Sequence, residues 1–238
     1  MQEERESYDQ SITIFSPDGR MYQVEYAREA VSKGSMSMGL IYKDGILMII
    51  EKRIQYSLVV PESIEKIFKI EKNIICATSG LIADARVLVD YAREEMEDYR
   101  LRYDEKMPVV ELVKRISNIK RIYTQYGGVR PFGVSLLIAG IDDTGMNLFE
   151  TDPSGAYKQY SAGSIGEGKD KMFEIFEEKY SNDLDFTEAV GLAFEAISTA
   201  LNKNIKDINL EIVTITKKNN VKHFSEKDIK ELKKAVKF

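Results

Sequence analysis

The order in which two hydrophobic patterns alternate along the chain constrains the fold more than any other feature of the sequence. Strand-like, β-branched segments occupy residues 35–53 and 66–78, and the first pair turns at an Asp-Gly hairpin signal, Asp44-Gly45. Two helical segments follow, and strands, two helices and a last strand then continue the chain from residue 132 onwards. Two antiparallel sheets packed face to face, each covered on its outer face by a helix pair, satisfy this order. We therefore predict an α+β fold, a four-layer αββα sandwich.

Helices are indicated where apolar residues recur at spacings of three and four. The first of the two central helices begins after Gly80 and runs for roughly twenty residues. The second follows Pro108 and is expected to stop at Gly127-Gly128. Further helices are predicted at residues 169–180, at residues 186–202 and from about Ser225 onwards.

A turn and a short helix precede the first strand. Residues 16–19, Ser-Pro-Asp-Gly, are a tight-turn sequence because the proline presets φ and the glycine accepts the angle that closes the turn. Apolar residues at positions 21, 24, 27 and 31 then share one face, which predicts a helix over residues 19–31. Asp18 is available to cap the first turn of this helix.

Length and composition favour a single domain in the cytoplasm. The chain has 238 residues, 43% of them hydrophobic, and no low-complexity linker divides it. We expect residues 13–238 to form one domain and residues 1–12 to form a mobile N-terminal gate segment. The longest apolar run is too short to cross a bilayer, and the charged first residues lack the apolar core of a secretory signal. We therefore expect a cytoplasmic protein without a membrane partner.

The scarcity of histidine and cysteine argues against several kinds of catalytic and metal site. A histidine-based triad would depend on His223 alone, and no Cys/His zinc cluster can be assembled. The single cysteine, Cys76, lies in an apolar segment and is expected to be a small core residue. The net charge of -5 gives no overall attraction to nucleic acid. We predict no cofactor and no metal site.

One glycine-rich loop has the spacing of a nucleotide-binding P-loop without its chemistry. Gly163, Gly168 and Lys169 are placed as in that motif. Asp170 stands where a serine or threonine hydroxyl should bind Mg²⁺, and Glu167 adds a second carboxylate to a loop that would have to hold phosphate. The preceding segment is polar, whereas a P-loop follows a buried parallel strand. We interpret these glycines as turn residues.

Lys66 stands out because it lies among isoleucines and a phenylalanine at the beginning of a strand-like segment, residues 64–70. A lysine at this position is either solvated at a sheet edge or placed to bind an anion. Composition alone favours the solvated edge residue, and both interpretations stay open at this stage.

A series of short motifs resembles one known family over nearly the whole chain. Tyr8-Asp9, residues 15–20 (Phe-Ser-Pro-Asp-Gly-Arg) and residues 23–27 (Gln-Val-Glu-Tyr-Ala) resemble the N-terminal signature of proteasome α-type subunits. Further segments are similar to archaeal α subunits in order and spacing: residues 33–35, 63–67, 78–81, 83–90, 126–131 and 165–170.

This resemblance implies the αββα fold of the N-terminal-nucleophile hydrolases and a non-catalytic role in the 20S proteasome. Seven such subunits would form an outer ring, scaffold the assembly of proteolytic β subunits and gate the entry of unfolded protein substrates. In that family the helix after the first turn lies across the mouth of the sandwich, and the residues before it form the gate over the pore.

The resemblance also implies roles for individual residues. Gly34, Lys66 and Leu81 match the pocket between neighbouring subunits that receives the C-terminal tail of an activating AAA ATPase, with Lys66 pairing to the tail carboxylate. The cluster that holds the gate open is matched by Tyr8, Asp9, Pro17 and Tyr26.

An alternative that the resemblance raises is a self-processed peptidase with Ser35 as its nucleophile. Ser35 stands where the β family has an N-terminal threonine, and Lys66, Glu51 and Arg53 lie near the positions of its charged helpers. Only cleavage just before Ser35 would create the free amine that this mechanism uses as a base. Such cleavage would discard the signature helix, and Glu167 occupies a loop that resembles Gly-Ser-Gly in active β subunits.

Two departures from the family pattern bear on gating. Gln10 stands where an arginine is frequent, and residues 35–39 (Ser-Met-Ser-Met-Gly) replace a small, threonine-rich segment. We expect different salt contacts at the gate and different packing at the first strand, without a change of role.

Overall fold

The computed structural model describes residues 13–54, 56–218 and 221–235. The helices of these residues are α1 (Tyr22–Ser32), α2 (Ile82–Tyr103), α3 (Val109–Tyr123), α4 (Lys169–Lys179), α5 (Phe186–Leu201) and α6 (Glu226–Ala235). The strands are β1 (Ser37–Tyr42), β2 (Gly45–Glu51), β3 (Ile67–Glu71), β4 (Ile74–Gly80), β5 (Val134–Asp142), β6 (Gly145–Thr151), β7 (Tyr157–Gln159), β8 (Ala162–Ile165), β9 (Leu210–Thr216) and β10 (Val221–His223).

The strands form two five-stranded sheets in which every pair is antiparallel. One sheet has the order β10-β9-β2-β1-β8 and the other the order β3-β4-β5-β6-β7. The predicted hairpin at Asp44-Gly45 joins β1 to β2, with Tyr42 paired to Gly45. This arrangement, with helices on the outer faces, confirms the predicted α+β sandwich.

Three apolar layers hold the sandwich together. The middle layer lies between the sheets and includes Met48, Leu137 and Val213. The α2–α3 pair packs on the outer face of the second sheet, and α4, α5 and α6 pack on the first. Strands that are covered on both faces need not alternate apolar and polar residues. This explains why every residue of β2 is buried.

The segment before β1 differs from its prediction in detail. The turn at residues 16–19 is confirmed, with the Gly19 amide donating to the Ser16 carbonyl at 2.8 Å and Gly19 at φ +73°. The helix spans Tyr22–Ser32 instead of residues 19–31, and no side chain caps it, so the capping role of Asp18 was wrong. The turn extends to Arg20, whose amide donates to Ser16 Oγ, and therefore places Asp18 too far upstream.

Two other elements differ from their predicted extents. Helix α3 ends at Tyr123, before the predicted stop at Gly127-Gly128, because the Thr124 amide and hydroxyl both turn back to the Arg121 carbonyl. The segment after the Pro153 turn is divided into the two short strands β7 and β8, which belong to different sheets.

The proposed gate segment, residues 1–12, lies outside the described residues, as do Tyr8, Asp9 and Gln10. Of the helices that the structure describes, none combines the length and the apolar character needed to cross a bilayer. The described residues also contain no group of three or more histidine, cysteine or acidic side chains that could hold a metal ion.

Candidate functional site

Lys66 lies directly before β3, at the end of the sandwich where β1 begins and β2 ends, and only 4% of it is exposed. Its ammonium donates to Ser35 Oγ at 2.6 Å and to the Ser35 carbonyl at 3.0 Å. The Met36 and Glu51 carbonyls lie at 3.2 and 3.4 Å. The interpretation as a solvated edge residue was therefore wrong, because Lys66 ties the start of β1 to the end of β2.

The environment of Lys66 weakens its hold on a proton. Burial lowers the pKa of the Lys66 ammonium to about 7, and the negative charge of Glu51 opposes this shift in part. Removing an ammonium from water disfavours its charged form, whereas a nearby carboxylate favours it. Near neutral pH this side chain is consequently divided between its charged and neutral forms.

Glu51 and Arg53, the other predicted helpers, lie beside Lys66. The Arg53 guanidinium donates to the buried Glu51 carboxylate at 2.9 Å and also contacts the Glu167 carboxylate. Lys203 approaches Glu51 from the other side at 3.6 Å. The Glu51 carboxylate is thus neutralised by Arg53 and Lys203, while Lys66 meets only its backbone oxygen.

The backbone around Ser35 is closely enclosed. The Gly34 carbonyl accepts from the Glu167 amide at 2.9 Å, and Ser79 Oγ lies 3.1 Å from both the Val31 and Ser35 carbonyls. A Cβ atom at Gly34 would lie 2.4 Å from Ser79 Oγ and 2.5 Å from the next amide nitrogen, that of residue 80. The Ser35 nitrogen, which forms the peptide bond with Gly34, therefore lies within a tightly packed junction between α1 and β1.

Leu81 lies close to this junction and is partly open to solvent. Its side chain is 45% exposed, and its amide donates to the Gly133 carbonyl at 2.9 Å. Asp84, in the first turn of α2, accepts from the Gly133 amide and from the Arg130 guanidinium.

The three predicted pocket residues are linked through their neighbours in the chain. Gly34 packs against Gly80, which precedes Leu81, and Ser35, which follows Gly34, contacts Lys66. The structure thus brings Gly34, Lys66 and Leu81 to one end of the sandwich.

Of the predicted gate residues, the structure describes Pro17 and Tyr26, and both are exposed. Helix α1, which carries Tyr26, is fixed to the turn after β6 by an ion pair in which the Arg28 guanidinium lies 2.7 Å from the Asp152 carboxylate. Tyr8 and Asp9 lie outside the described residues, so the gate cluster stays a prediction.

The glycine-rich loop does not have the geometry of a nucleotide site. It follows β8, an antiparallel edge strand paired with β1. Lys169 forms an ion pair with Glu150, and Gly168 packs against Ala200 on α5. Gly166 and Gly168 have φ angles of +87° and +77° and turn the chain, as interpreted. Gly163 lies within β8, paired with Gly39 of β1, so its interpretation as a turn residue was wrong.

The sequence analysis missed a second buried lysine, Lys120 on α3. It is fully buried, and its ammonium donates to Thr151 Oγ1 at 2.8 Å and to the Val134 and Thr151 carbonyls. Burial lowers its pKa to about 7. The signal was available, because Lys120 lies four residues after Ile116 on the apolar face of the helix. Cys76, expected in the core, is fully buried, and burial raises its pKa to about 12.

A cavity of about 690 Å³ also escaped sequence analysis, because distant segments form it. It lies between α1, the turn that joins β6 to β7, and the loop before α4. Its apolar wall includes Val31, Ala156, Tyr157 and Ile165.

Comparison with known proteins identifies the family. The family model for proteasome subunits matches residues 31–215, and the model for the N-terminal signature of A-type proteasome subunits matches residues 8–30. A proteasome alpha subunit of Methanocaldococcus jannaschii is 49% identical, covering 97% of this chain and 87% of its own length. Proteins with the same name from Methanopyrus kandleri (49% identical, 89% and 86% covered) and Archaeoglobus fulgidus (51% identical, 86% and 83% covered) are similar. The chain belongs to the family of proteasome subunits and, within it, to the α-type subunits.

Proposed function

We propose that this chain is the non-catalytic α subunit of a cytoplasmic 20S proteasome. Seven copies form the outer ring, provide the surface on which β subunits assemble, and gate the entry of unfolded substrates through residues 1–12. Gly34, Lys66 and Leu81 receive the C-terminal tail of an activating AAA ATPase, and Tyr8, Asp9, Pro17 and Tyr26 stabilise the open gate.

The observation that carries this proposal is the state of the Ser35 nitrogen. An N-terminal nucleophile needs a free amine as its base. Here that nitrogen is in a peptide bond next to Gly34, whose carbonyl accepts a hydrogen bond from the Glu167 amide. The helix α1 that precedes it is anchored through Arg28 and Asp152. A chain built in this way keeps a protease fold while lacking the group that would start catalysis.

The docking role is supported by the chemistry around Lys66. A cationic ammonium at the mouth of the sandwich, with the partly exposed Leu81 nearby, offers one charge and one apolar contact to a peptide terminus. A carboxylate that approached Lys66 would also favour the charged form of the lysine over the neutral one.

The experiment that tests the proposal compares the purified chain with and without β subunits by electron microscopy, together with its intact mass. We expect seven-fold ring particles and a mass that retains residue 1 or 2. A monomer of full mass in both samples would contradict the ring.

The alternative, a self-processed peptidase, is favoured by the contact of 2.6 Å between Lys66 Nζ and Ser35 Oγ. It predicts a new N-terminus at Ser35 and a peptidase activity that is lost in Ser35→Ala. An unprocessed chain that is inactive without partners eliminates it.

A further inference from the structure

Lys66 and Glu51 are buried charges of opposite sign that lie beside each other without pairing. Each of them is only 4% exposed. The Lys66 ammonium lies 3.4 Å from the Glu51 carbonyl, but no carboxylate of a described residue lies within ion-pair distance of it. Buried charges of opposite sign tend to pair, because each has lost water that a partner must replace. The separation therefore needs another group that binds the Glu51 carboxylate.

Arg53 binds the Glu51 carboxylate. Its Nε donates to this carboxylate at 2.9 Å, and one of its terminal nitrogens contacts the Glu167 carboxylate in the loop before α4. The planar guanidinium presents its N–H groups in a rigid fork, so it can hold two carboxylates in set positions. Lys203 approaches the other oxygen of Glu51 at 3.6 Å. The Glu51 carboxylate is consequently bound by two cations, neither of which is Lys66.

The charges that act on Lys66 come from two strands. Burial is the main cause that lowers the pKa of Lys66 to about 7; the negative charges of Glu51 and Glu211 oppose this shift, and the positive charge of Arg53 adds to it. Glu211, on β9, is paired with Lys52 at 2.9 Å. Both carboxylates that act on Lys66 are thus bound by other cations. The same three charges act on an anion that approaches Lys66, because Arg53 attracts it and the two carboxylates repel it.

We propose that Arg53 is a positioning residue for tail docking, which holds the Glu51 carboxylate away from Lys66 and compensates its charge. Lys66 is thereby left to bind the C-terminal carboxylate of an activator tail. Without Arg53, the uncompensated Glu51 repels this carboxylate, and its side chain competes for the same ammonium. The inference rests on the proposed function, since it states what keeps the docking lysine available.

The experiment measures the affinity of assembled particles for a peptide that copies the C-terminus of the activating ATPase, from about pH 6 to about pH 8.5. At about pH 6, where Lys66 is charged, we expect Arg53→Met to lower this affinity at least about tenfold, because the Glu51 charge is no longer compensated. The pH at which binding weakens should also move upwards in Arg53→Met, since the arginine charge no longer lowers the pKa of Lys66.

Glu51→Gln provides the opposite change and the rescue. It removes a charge that raises the pKa of Lys66, so binding should weaken at a lower pH than in the unchanged chain. Combined with Arg53→Met, it should restore the affinity at about pH 6 to within about threefold, because the repulsive charge is gone. A merely structural role of Arg53 predicts a loss that Glu51→Gln does not recover, without a shift of the pH profile.

Two further variants are controls. Arg53→Lys keeps the positive charge and should keep the pH at which the unchanged chain loses binding. Arg100→Met removes an exposed arginine whose guanidinium lies 2.7 Å from Glu97 on α2, and it should bind the peptide as the unchanged chain does at every pH. If Arg53→Met particles do not assemble, the downward shift in Glu51→Gln is the deciding measurement, and its absence overturns the inference.

Lys66→Met separates two kinds of failure. If the unchanged chain binds the peptide no more tightly than Lys66→Met does, the docking role fails and the inference fails with it. If Lys66→Met loses binding while Arg53→Met keeps the affinity and the pH profile of the unchanged chain, only the inference about Arg53 fails.

Discussion

The ammonium of Lys66 lies 2.6 Å from the hydroxyl of Ser35. Helix α1 precedes Ser35, so Ser35 is not the first residue of the chain. The same ammonium holds three backbone carbonyls at the mouth of the sandwich, those of Ser35, Met36 and Glu51. The lysine therefore joins β1 to β2 and keeps a titratable charge at the site proposed for tail docking.

Tail docking at Lys66 should depend on pH. Burial lowers the pKa of the free Lys66 ammonium to about 7, and a bound carboxylate would raise it by favouring the charged form. Binding above about pH 7 would then take up a proton, so affinity for a tail peptide should rise as pH falls from about 8.5 towards 7, by up to about tenfold per pH unit. Titration of assembled particles with the peptide measures this, and a flat profile would contradict it.

Replacing Lys66 should separate gate opening from peptide hydrolysis. In Lys66→Ala or Lys66→Met the tail carboxylate loses its partner, so we expect ATPase-stimulated degradation of folded proteins to be abolished. Cleavage of small peptides by the particle formed with β subunits should remain. Lys69→Met, which changes an exposed lysine of β3, the strand that Lys66 directly precedes, is the matched control. Unchanged stimulation in the Lys66 variants would refute the docking role.

Gly34→Ala should destabilise the junction between α1 and β1. The added Cβ would lie 2.4 Å from Ser79 Oγ and 2.5 Å from the Gly80 nitrogen, and the latter is backbone that cannot swing away. Overpacking of this kind typically costs about 1–3 kcal/mol of unfolding free energy. Gly127→Ala is the control, because nothing lies within 4 Å of its added carbon. Urea unfolding compares the two variants, and equal midpoints would show that the junction relaxes freely.

The layered fold was predictable because its determinants are local. The turn at Asp44-Gly45 is encoded by neighbouring residues and lies where the pattern indicated, and the strand Leu210–Thr216 follows the second set of helices in the predicted order. The start of α1 was harder to predict from the sequence. Asp18 can cap this helix only if the preceding turn ends before Asp18, and that turn continues to Arg20.

The candidate site was predictable in its residue types but not in its burial. The resemblance identified Lys66, while its environment depends on acceptors just before β1 and at the end of β2 that are 15 to 31 positions away in sequence. Single-residue patterns carry no information on such contacts. The cavity is hidden for the same reason, because its walls come from α1, β7 and α4, which meet only after the two sheets pack.

Asp84→Asn should loosen the loop beside Leu81. Burial acts to raise the pKa of the Asp84 carboxyl. Hydrogen bonds from both terminal nitrogens of Arg130 and from the Gly133 amide at 2.8 Å, together with the charge of Arg130, outweigh burial and hold this pKa below its ordinary value. Hydrogen bonds to a charged group contribute roughly 1.5–3 kcal/mol each at most, so we expect a loss of about 1–3 kcal/mol at pH 7.

The pH dependence distinguishes this explanation from a packing effect. Because the folded pKa of Asp84 is lowered, its stabilisation is present above the unfolded pKa and is lost as pH falls through the folded pKa. The difference in unfolding free energy between the unchanged chain and Asp84→Asn should therefore shrink towards acid. Asp143→Asn, at an exposed turn, should show little effect at any pH. A difference that is constant with pH would contradict the role of the charge.

Lys120 should make stability increase with pH above neutrality. Burial lowers its pKa to about 7 in the folded chain, whereas an unfolded lysine titrates near about 10.4. Between these values the unfolded chain binds more protons, so folding is favoured as pH rises, by up to about 1.4 kcal/mol per pH unit for this one group. Other groups titrate in the same range, which makes a comparison of variants necessary.

Lys120→Met removes the titrating group while keeping most of the side-chain volume, although it leaves the Val134 and Thr151 carbonyls without their donor. Its unfolding free energy in urea, measured from about pH 7 to about pH 9, should fall progressively behind that of the unchanged chain as pH rises. Lys114→Met, which changes an exposed lysine on the same helix, should follow the unchanged chain in parallel. If the Lys120→Met curve is also parallel, the ammonium keeps its proton in the folded state throughout this range.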